Sequence, residues 1–215
     1  MIIDLHAHTR PLSYDSQLGP DELVEAAKAA GLDGICLTEH DFFWDHEAVA
    51  QLSRRHRFLV IPGVELNTER GHVLAFGLRR YVLGMDRVEV LAKVAQAEGA
   101  VLIAAHPYRR QAPWRHNDPR EWEEAVQRAL ANPCYRIVCA IEGLNGRGGE
   151  LDNRFSQEVA LRLALPQVAG SDAHAPQDVG RCATEFFRPI SGLADLIEEL
   201  RAGRFRPVWL DRLTG

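Results

Sequence analysis

The chain begins with a short apolar segment that ends in two histidines, His6 and His8, separated by a single alanine. Side chains at positions i and i+2 of a β-strand point to the same side, so the two imidazoles are expected to lie next to each other. Two imidazoles in this arrangement can bind one metal ion. The sequence therefore predicts a strand whose C-terminal end carries a metal site.

Four further apolar segments close with the same kinds of side chain. Residues 37–41, 62–65, 104–107 and 169–174 each carry His, Asp or Glu at or near their last position. A single histidine at the end of a strand has an ordinary explanation as a hydrogen-bonded surface or core residue. The repetition of His and carboxylate at one strand end after another indicates instead that these side chains share one metal site.

The residue types limit the metal and its chemistry. Zinc, manganese and iron(II) accept imidazole nitrogen and carboxylate oxygen, and none of the four cysteines stands at a ligand-like position. The candidate ligands are His6, His8, Asp15, His40, Glu65, His72, His106, Asp172 and His174. So many ligands exceed the need of one ion, and bridging carboxylates would hold two or three divalent ions. Such a site favours phosphoester hydrolysis first and amide hydrolysis second.

The order of the predicted elements favours an α/β fold. Strands are predicted at residues 2–6, 34–38, 58–66, 72–78, 101–105, 136–141, 167–170, 186–187 and 207–210. Helices are predicted at residues 20–31, 44–56, 86–98, 119–131, 153–165 and 191–202. Strands that alternate with helices are typical of a parallel sheet.

The positions of the polar residues favour a closed barrel over an open sheet. Because they follow nearly every strand, we expect about seven strand–helix units with the site at the C-terminal ends of the strands. A doubly wound sheet is the alternative, although it would gather its ligands at a single switch point. No linker or repeat interrupts the chain, so residues 1–215 are expected to form one domain, with residues 108–118 as a loop over the site.

Composition narrows the choice of partners. The net charge of −5 and the isoelectric point near 6.0 argue against a large non-specific nucleic-acid surface and against an anionic membrane surface. No apolar run reaches the roughly 18 residues of a membrane span, and the N-terminus lacks the pattern of a signal peptide. Cysteines without metal-binding spacing fit a reducing compartment. The sequence therefore predicts a cytoplasmic enzyme without a membrane partner.

Five groups of motifs follow one another along the chain. They are DLHAHT at residues 4–9, TEHD at 38–41, PGVEL at 62–66 with GHVL at 71–74, AHP at 105–107 and GSDAH at 170–174. Together they resemble the PHP family, the polymerase and histidinol phosphatase domain, over nearly the whole chain. The resemblance implies a distorted (β/α)7 TIM-like barrel with a trinuclear metal centre at its C-terminal face.

The resemblance also implies how the ligands are shared. It assigns His6, His8, Glu65 and Asp172 to one ion, Glu65, His72 and His106 to a second, and Asp15, His40 and His174 to a third. Asp4 and Asp41 are expected to orient imidazoles. Many members have Asp where Glu39 stands, a difference expected to have little effect. The remaining histidines, His46, His56 and His116, are expected to be ordinary polar side chains.

The implied function is hydrolysis of a small phosphomonoester, as in a histidinol phosphatase, by attack of metal-bound hydroxide on phosphorus. Arg109 and Arg181 are the candidate catalytic and phosphate-binding cations, and Asn145 is a candidate for the pocket lining. One alternative is a phosphodiesterase or exonuclease acting on nucleotides or short nucleic acids. Another is a non-catalytic module that only holds metal. The sequence leaves the substrate, the native metal and the oligomeric state open.

Overall fold

The computed structural model describes residues 1–115 and 117–210, which form two β-sheets covered by helices. The strands are β1 (Ile2–Asp4), β2 (Gly34–Leu37), β3 (Leu59–Pro62), β4 (Val64–Thr68), β5 (Gly71–Phe76), β6 (Val101–Ala104), β7 (Ala140–Asn145), β8 (Gln167–Gly170), β9 (Cys182–Phe186) and β10 (Phe205–Trp209). The helices are α1 (Pro20–Ala29), α2 (His46–His56), α3 (Val88–Glu98), α4 (Tyr108–Gln111), α5 (Pro119–Leu130), α6 (Glu150–Arg162) and α7 (Leu193–Ala202). Turns of 3-10 helix occur at Pro133–Arg136 and Pro176–Asp178.

The strands are arranged in two five-stranded sheets, in the orders β10-β9-β1-β2-β3 and β4-β5-β6-β7-β8. β1, β2 and β3 are parallel, as are β6, β7 and β8, whereas β9, β10 and the β4-β5 pair bring in antiparallel neighbours. Two single parallel bridges, Ala7 to Ala173 and His40 to Glu65, link the sheets beyond the ends of β1 and β2. Across the described residues the strands form two mixed sheets, so the closed, all-parallel barrel is not confirmed.

The departure from an all-parallel sheet has a local cause. Only Glu69 and Arg70 separate β4 from β5. Two residues can reverse the chain into an antiparallel hairpin, but a parallel pair needs a crossover of a dozen residues or more. The single strand predicted at residues 58–66 is also divided at Gly63 into β3 and β4, which belong to different sheets.

One strand lies later in the chain than predicted, and this matters for the site. The prediction began at residue 136, but Pro133 opens a 3-10 turn in which the side chain of Asn132 accepts a hydrogen bond from the N–H of Cys134. This turn delays β7 to Ala140–Asn145, so the strand includes Glu142 and Asn145. The segment predicted as a loop at residues 108–118 begins with the short helix α4.

Apolar side chains form three main clusters around the sheets. Leu23 of α1 and Val49 of α2 pack with Ile35 of β2 on one side. A second cluster joins strands of both sheets to α7, and a third packs α3, α5 and α6 against the sheet that contains β5 and β6. Among the helices of the described residues, none combines the length and the apolar character that crossing a membrane requires.

Gly170, the last residue of β8, marks the closest approach between β8 and the segment after β1. A Cβ atom there would lie 2.4 Å from His6 Cβ and 2.9 Å from Glu142 Oε1. We expect Gly170→Ala to lower the free energy of unfolding by about 1–3 kcal/mol because the backbone must shift. Urea unfolding of the purified protein measures this change.

Gly192→Ala is the matched control. No atom lies within 4 Å of the Cβ position at Gly192, and its φ of 176° is extended backbone. A loss of stability as large at Gly192 as at Gly170 would contradict the close approach.

Candidate metal centre

The structure gathers all of the sequence-predicted ligands at one edge of the two sheets. His6 and His8 follow β1, Asp15 lies between β1 and α1, His40 follows β2, Glu65 lies in β4, His72 lies in β5, His106 follows β6, and Asp172 and His174 follow β8. The single bridges that link the two sheets include Glu65 and His40 themselves. The two sheets therefore meet at the same place where the candidate ligands come together.

Four of these side chains bring one potential ligand atom each close to two imidazole nitrogens. His6 Nε2 lies 3.0 Å from His8 Nε2. Glu65 Oε2 lies 3.4 Å from the first of these nitrogens and 3.3 Å from the second. Asp172 Oδ1 lies 3.6 Å and 3.4 Å from the same two atoms. We call these four atoms the central quartet, and all four side chains are fully buried.

Neighbouring groups determine which nitrogen of each imidazole is free. His6 Nδ1 lies 2.9 Å from Glu142 Oε1, and a carboxylate can only accept, so this nitrogen carries a proton. His8 Nδ1 lies 3.1 Å from Ser13 Oγ, whose own hydroxyl donates to Glu39 at 2.6 Å. Ser13 therefore accepts from His8. In the neutral form of both rings, the lone pairs of Nε2 face the centre of the quartet.

The quartet requires positive charge at its centre. Glu65 Oε2 and Asp172 Oδ1 are buried and accept no well-aligned hydrogen bond among the described residues, although His40 Nδ1 lies 2.9 Å from Glu65 Oε2. Burial raises the pKa of Glu65, but the surrounding imidazoles outweigh it and hold the pKa well below its usual value. Burial lowers the pKa of His6, yet the carboxylates of Glu142, Asp172 and Glu65 hold it well above its usual value. A divalent ion beside these carboxylates would supply positive charge and displace any proton from the ligand nitrogens.

The spacing of the quartet fits a metal ion. Ligands at about 2.0–2.2 Å from a tetrahedral zinc ion lie roughly 3.3–3.6 Å from one another. The five distances that involve the two imidazole nitrogens, 3.0 to 3.6 Å, are close to these values. Imidazole nitrogens and carboxylate oxygens are also the donors that zinc, manganese and iron(II) accept. The residues present therefore fit a divalent ion.

Two further groups of ligand atoms adjoin the quartet. Glu65 Oε1 lies 2.8 Å from His72 Nδ1 and 2.8 Å from His106 Nε2. Asp15 Oδ2 lies 3.4 Å from His40 Nε2 and 3.2 Å from His174 Nε2. The carboxylate of Glu65 touches both the quartet and the second group, which is the position of a bridging ligand. His40 Nδ1 also lies 2.9 Å from Glu65 Oε2, so the three groups adjoin one another, and the division into three ions stays a prediction.

Two of the candidate ligands have an unusual backbone conformation. His106 has a φ of 27° and Asp172 a φ of 54°, both in the left-handed region that favours glycine. Strain of this kind persists only where neighbouring contacts hold the residue, and it is concentrated at functional sites. Here the N–H of Asp172 donates to His6 O at 2.7 Å, and the N–H of His106 donates to Glu142 Oε2 at 2.8 Å.

Glu39 has a larger role in the structure than the sequence suggested. Its buried carboxylate accepts hydrogen bonds from the N–H and the hydroxyl of Thr9, from Ser13 Oγ and from Trp44 Nε1. Through Ser13 it fixes the ring of His8. The effect of Glu in place of Asp stays a prediction, but this carboxylate accepts four hydrogen bonds next to the ligands.

Asp4 and Asp41 do not orient imidazoles as expected. Asp4 accepts hydrogen bonds from the N–H groups of His6 and Ser171, at 3.1 Å and 2.9 Å, and so fixes backbone. Asp41 accepts from the backbone and the side chain of Asn67. The groups that do orient imidazoles, Ser13 and Glu142, were not predicted. Glu142 was missed because the predicted strand ended one residue before it.

A cavity of about 380 Å³ lies above the ligands. Asp15, His40, His72 and His174 line it from the ligand side, together with the side chains of Arg109 and Arg147. The Arg109 guanidinium donates to Asp172 Oδ2, the carboxylate oxygen that points away from the quartet. An Arg147 nitrogen lies 2.9 Å from His174 Nδ1. The cavity therefore combines the ligand cluster with two cations.

The other predicted substrate contacts lie elsewhere. Arg181 donates to Gly146 O at 3.2 Å and lies 3.6 Å from Asp178, and it is not among the described residues that line this cavity. Asn145 is fully buried beneath the ligands, where its amide donates to Glu142 and Asp172. Neither placement supports a contact with substrate.

The remaining histidines lie apart from the cluster where the structure describes them. His46 is the first residue of α2, and His56 at the end of the same helix pairs with Asp21 and Glu25 of α1. Both agree with the expectation of ordinary polar side chains. His116 lies outside the described residues.

Family models match almost the whole length of this fold. A model of the PHP domain matches residues 4–153. The chain belongs to the PHP domain family. A PHP-associated model matches residues 150–205, which contain Asp172 and His174. The two PHP segments share both sheets, because β7 pairs with β8 and β1 pairs with β9.

Individual proteins show more distant similarity. An uncharacterized protein of Methanocaldococcus jannaschii is 26% identical over 118 residues, which cover 50% of this chain and 68% of that protein. A two-domain protein from Bacteroides vulgatus, containing a predicted PHP-like metal-dependent phosphoesterase, has a TM-score of 0.66 at 21% identity and covers 97% of this chain, which spans 64% of that one. An amidohydrolase from Chromobacterium violaceum, with bound sulfate and no metal, has a TM-score of 0.64 at 18% identity over 99% of both chains. At such identities the two structures support the fold alone.

Metal binding should stabilise this protein. Manganese or zinc at a hundred times its dissociation constant would stabilise the folded state by about 2.7 kcal/mol, which raises Tm by roughly 5–10 °C for a chain of this size. His8→Asn should lose most of this rise because it removes one atom of the quartet. Differential scanning calorimetry with and without metal measures both.

The matched control is His46→Asn, which changes a histidine outside the cluster. It should keep the full rise. Equal metal-induced shifts in the wild type and in His8→Asn would contradict a metal site at the quartet.

Proposed function

We propose that this protein is a metal-dependent phosphoesterase that hydrolyses a small phosphomonoester. The observation that carries the proposal is the buried ligand cluster beneath a cavity that two arginines also line. Divalent ions, when bound, supply Lewis-acid activation of water and of phosphoryl oxygens. A phosphate monoester carries two negative charges, and the cations beside the cluster complement them.

Arg109 is the residue that we assign to phosphate binding. It follows His106 and Pro107 in the chain, and its side chain is 31% exposed. Its bond to Asp172 anchors one guanidinium nitrogen and directs the planar group along the cavity wall. The remaining N–H groups can donate to two phosphate oxygens at once, the geometry for which guanidinium is suited. Arg147 lies beside His174 on another side of the cavity, and we assign it to closing the cavity there.

The size of the cavity supports a small substrate. A volume of about 380 Å³ lies in the lower part of the roughly 300–1,000 Å³ range of small-molecule sites. Leu12 and Tyr14 also line this cavity, and the Tyr14 side chain is 91% exposed. The leaving group would therefore lie against apolar surface at the mouth while the phosphate faces the ligand cluster. Nothing among these residues singles out histidinol phosphate.

A complete ligand set favours an enzyme over a module that only holds metal. Nine candidate ligands in adjoining groups exceed the need of one ion, whereas a purely structural site closes its coordination with four protein ligands. Cavity access to Asp15, His40 and His174 is also unnecessary for a structural ion. The cytoplasmic location stays a prediction from the sequence.

A second function, phosphodiester hydrolysis, is favoured by one specific feature. A smaller cavity of about 130 Å³ adjoins His72 and His106, and Arg70, Arg109 and Arg110 line it. A strand or nucleotide with a second phosphate could place that group there. The net charge of −5 counts against a long nucleic-acid substrate.

Hydrolysis of p-nitrophenyl phosphate and bis-p-nitrophenyl phosphate by manganese- or zinc-loaded protein tests the proposal. We expect the monoester to react faster, and we expect His106→Ala to abolish the rate because it removes a ligand next to Glu65. His46→Ala, outside the cluster, should keep it. A faster diester rate would instead support phosphodiester hydrolysis as the function. The absence of any rate sensitive to His106→Ala would contradict both functions.

Exchange of single arginines tests how phosphate is bound. A hydrogen bond to a charged group contributes about 1.5–3 kcal/mol, so Arg109→Ala should lower kcat/KM for the monoester by roughly 10- to 100-fold. Arg181→Ala should change it less than about threefold, since this side chain points to Gly146 and Asp178. Steady-state kinetics of both variants decide between the two arginines. A larger loss for Arg181→Ala would show that Arg181, which the sequence also suggested, binds the phosphate.

A further inference from the structure

Glu142 is a fully buried carboxylate beneath the metal centre that neither the sequence motifs nor the ligand sets use. It lies in β7, and its side chain is 0% exposed. Its Oε1 atom is 2.9 Å from His6 Nδ1. Its Oε2 atom accepts from the backbone N–H of His106 at 2.8 Å and from Asn145 Nδ2 at 3.0 Å. One side chain thus touches two of the candidate ligands.

The contacts of Glu142 are those of a supporting group and not of a metal ligand. It lies close enough to His6 and His106 to count as a ligand group by distance alone. However, its two oxygens are already engaged by three N–H groups, and one of these is a backbone amide that cannot turn away. It also contacts His6 at Nδ1, whereas Nε2 on the far side of the ring faces the central quartet.

We propose that Glu142 is a positioning residue that couples two ion sites of the metal centre, an inference that rests on the proposed metal binding. By accepting from His6 Nδ1, it keeps the proton on that nitrogen and the lone pair of Nε2 directed at the quartet. By accepting from the N–H of His106, it holds this ligand in its left-handed backbone conformation, with a φ of 27°. His6 belongs to the first ligand set and His106 to the second.

Replacement of the carboxylate by an amide of the same shape removes this function. The side chain of Glu142→Gln has one acceptor oxygen and one NH2 group in place of two acceptor oxygens. If the NH2 group faces His6, two donors oppose each other at Nδ1. If it faces the other way, it opposes the N–H of His106 and the amide of Asn145. Either orientation leaves a buried donor without an acceptor and disturbs one of the two ligands.

Metal affinity is the first measurement. Titration of the metal-free protein with zinc or manganese against a competing chelator should show a 10- to 100-fold loss of affinity in Glu142→Gln, the usual effect of removing a group that orients a ligand. The control is Glu199→Gln, which changes a buried carboxylate of α7 that pairs with Arg204. Unchanged affinity in Glu142→Gln would overturn the proposal.

Histidine NMR of the zinc-loaded protein separates positioning from a general structural role. In the wild type, His6 should show a protected Nδ1–H and a zinc-bound Nε2. The signal is assigned to His6 because it is missing from the spectrum of a variant that lacks His6. In Glu142→Gln this signal should shift or broaden. The imidazole of His56, which lies outside the cluster between Glu25 and Asp21, serves as the internal reference. A loss of affinity with an unchanged His6 signal would overturn positioning.

The wild-type spectrum decides the matter even if Glu142→Gln fails to fold. Zinc bound to His6 through Nδ1 would overturn the proposal, because Glu142 then could not accept from that nitrogen. Neither measurement uses a phosphoester. Failure of the proposed phosphatase activity would therefore leave this test intact, and failure of the positioning role would leave the activity to be judged by kinetics.

Discussion

Four buried atoms that all carry lone pairs face one another, and the rest of the structure depends on how their charge is compensated. In the interior, the Nε2 atoms of His6 and His8 lie 3.0 Å apart, and each lies 3.3 to 3.6 Å from the oxygens of Glu65 and Asp172. Such a group is costly to bury unless positive charge stands between its members. Protons on the ring nitrogens would compensate that charge only in part. Divalent ions would do so while leaving every hydrogen bond to the outer nitrogens intact.

The backbone of the fold is built around this group rather than beside it. The single bridge from Ala7 to Ala173 lies between the ligands of two strands, and Gly170 packs directly on His6. Asp172 adopts a left-handed conformation that its hydrogen bond to His6 O holds in place. Because the two sheets meet at the ligands, changes in the metal centre and changes in sheet packing cannot be independent. This coupling explains why strained residues are tolerated there.

Sequence patterns could predict the ligands, since most of them stand in or just after an apolar strand. The supporting groups could not be predicted in this way. Glu142 meets His6 across 136 residues of chain, and the relay from Glu39 through Ser13 to His8 joins a strand end to a loop. Tertiary contacts likewise determine the directions of the strands. They also determine that Arg147, and not the predicted Arg181, lines the cavity. A pattern of residue types contains no information on these contacts.

The distribution of burial indicates where substrate selectivity must arise. Most of the ligands and their supports are buried and contact each other, so they offer little surface to a leaving group. Discrimination between leaving groups needs side chains that reach the mouth of the cavity, where Leu12, Tyr14 and Arg147 lie. Tyr14 stands next to Asp15, a candidate ligand, so a substrate that contacts its ring also lies close to the metal centre. Relatives that share the buried cluster can therefore differ in substrate through a few residues at this mouth.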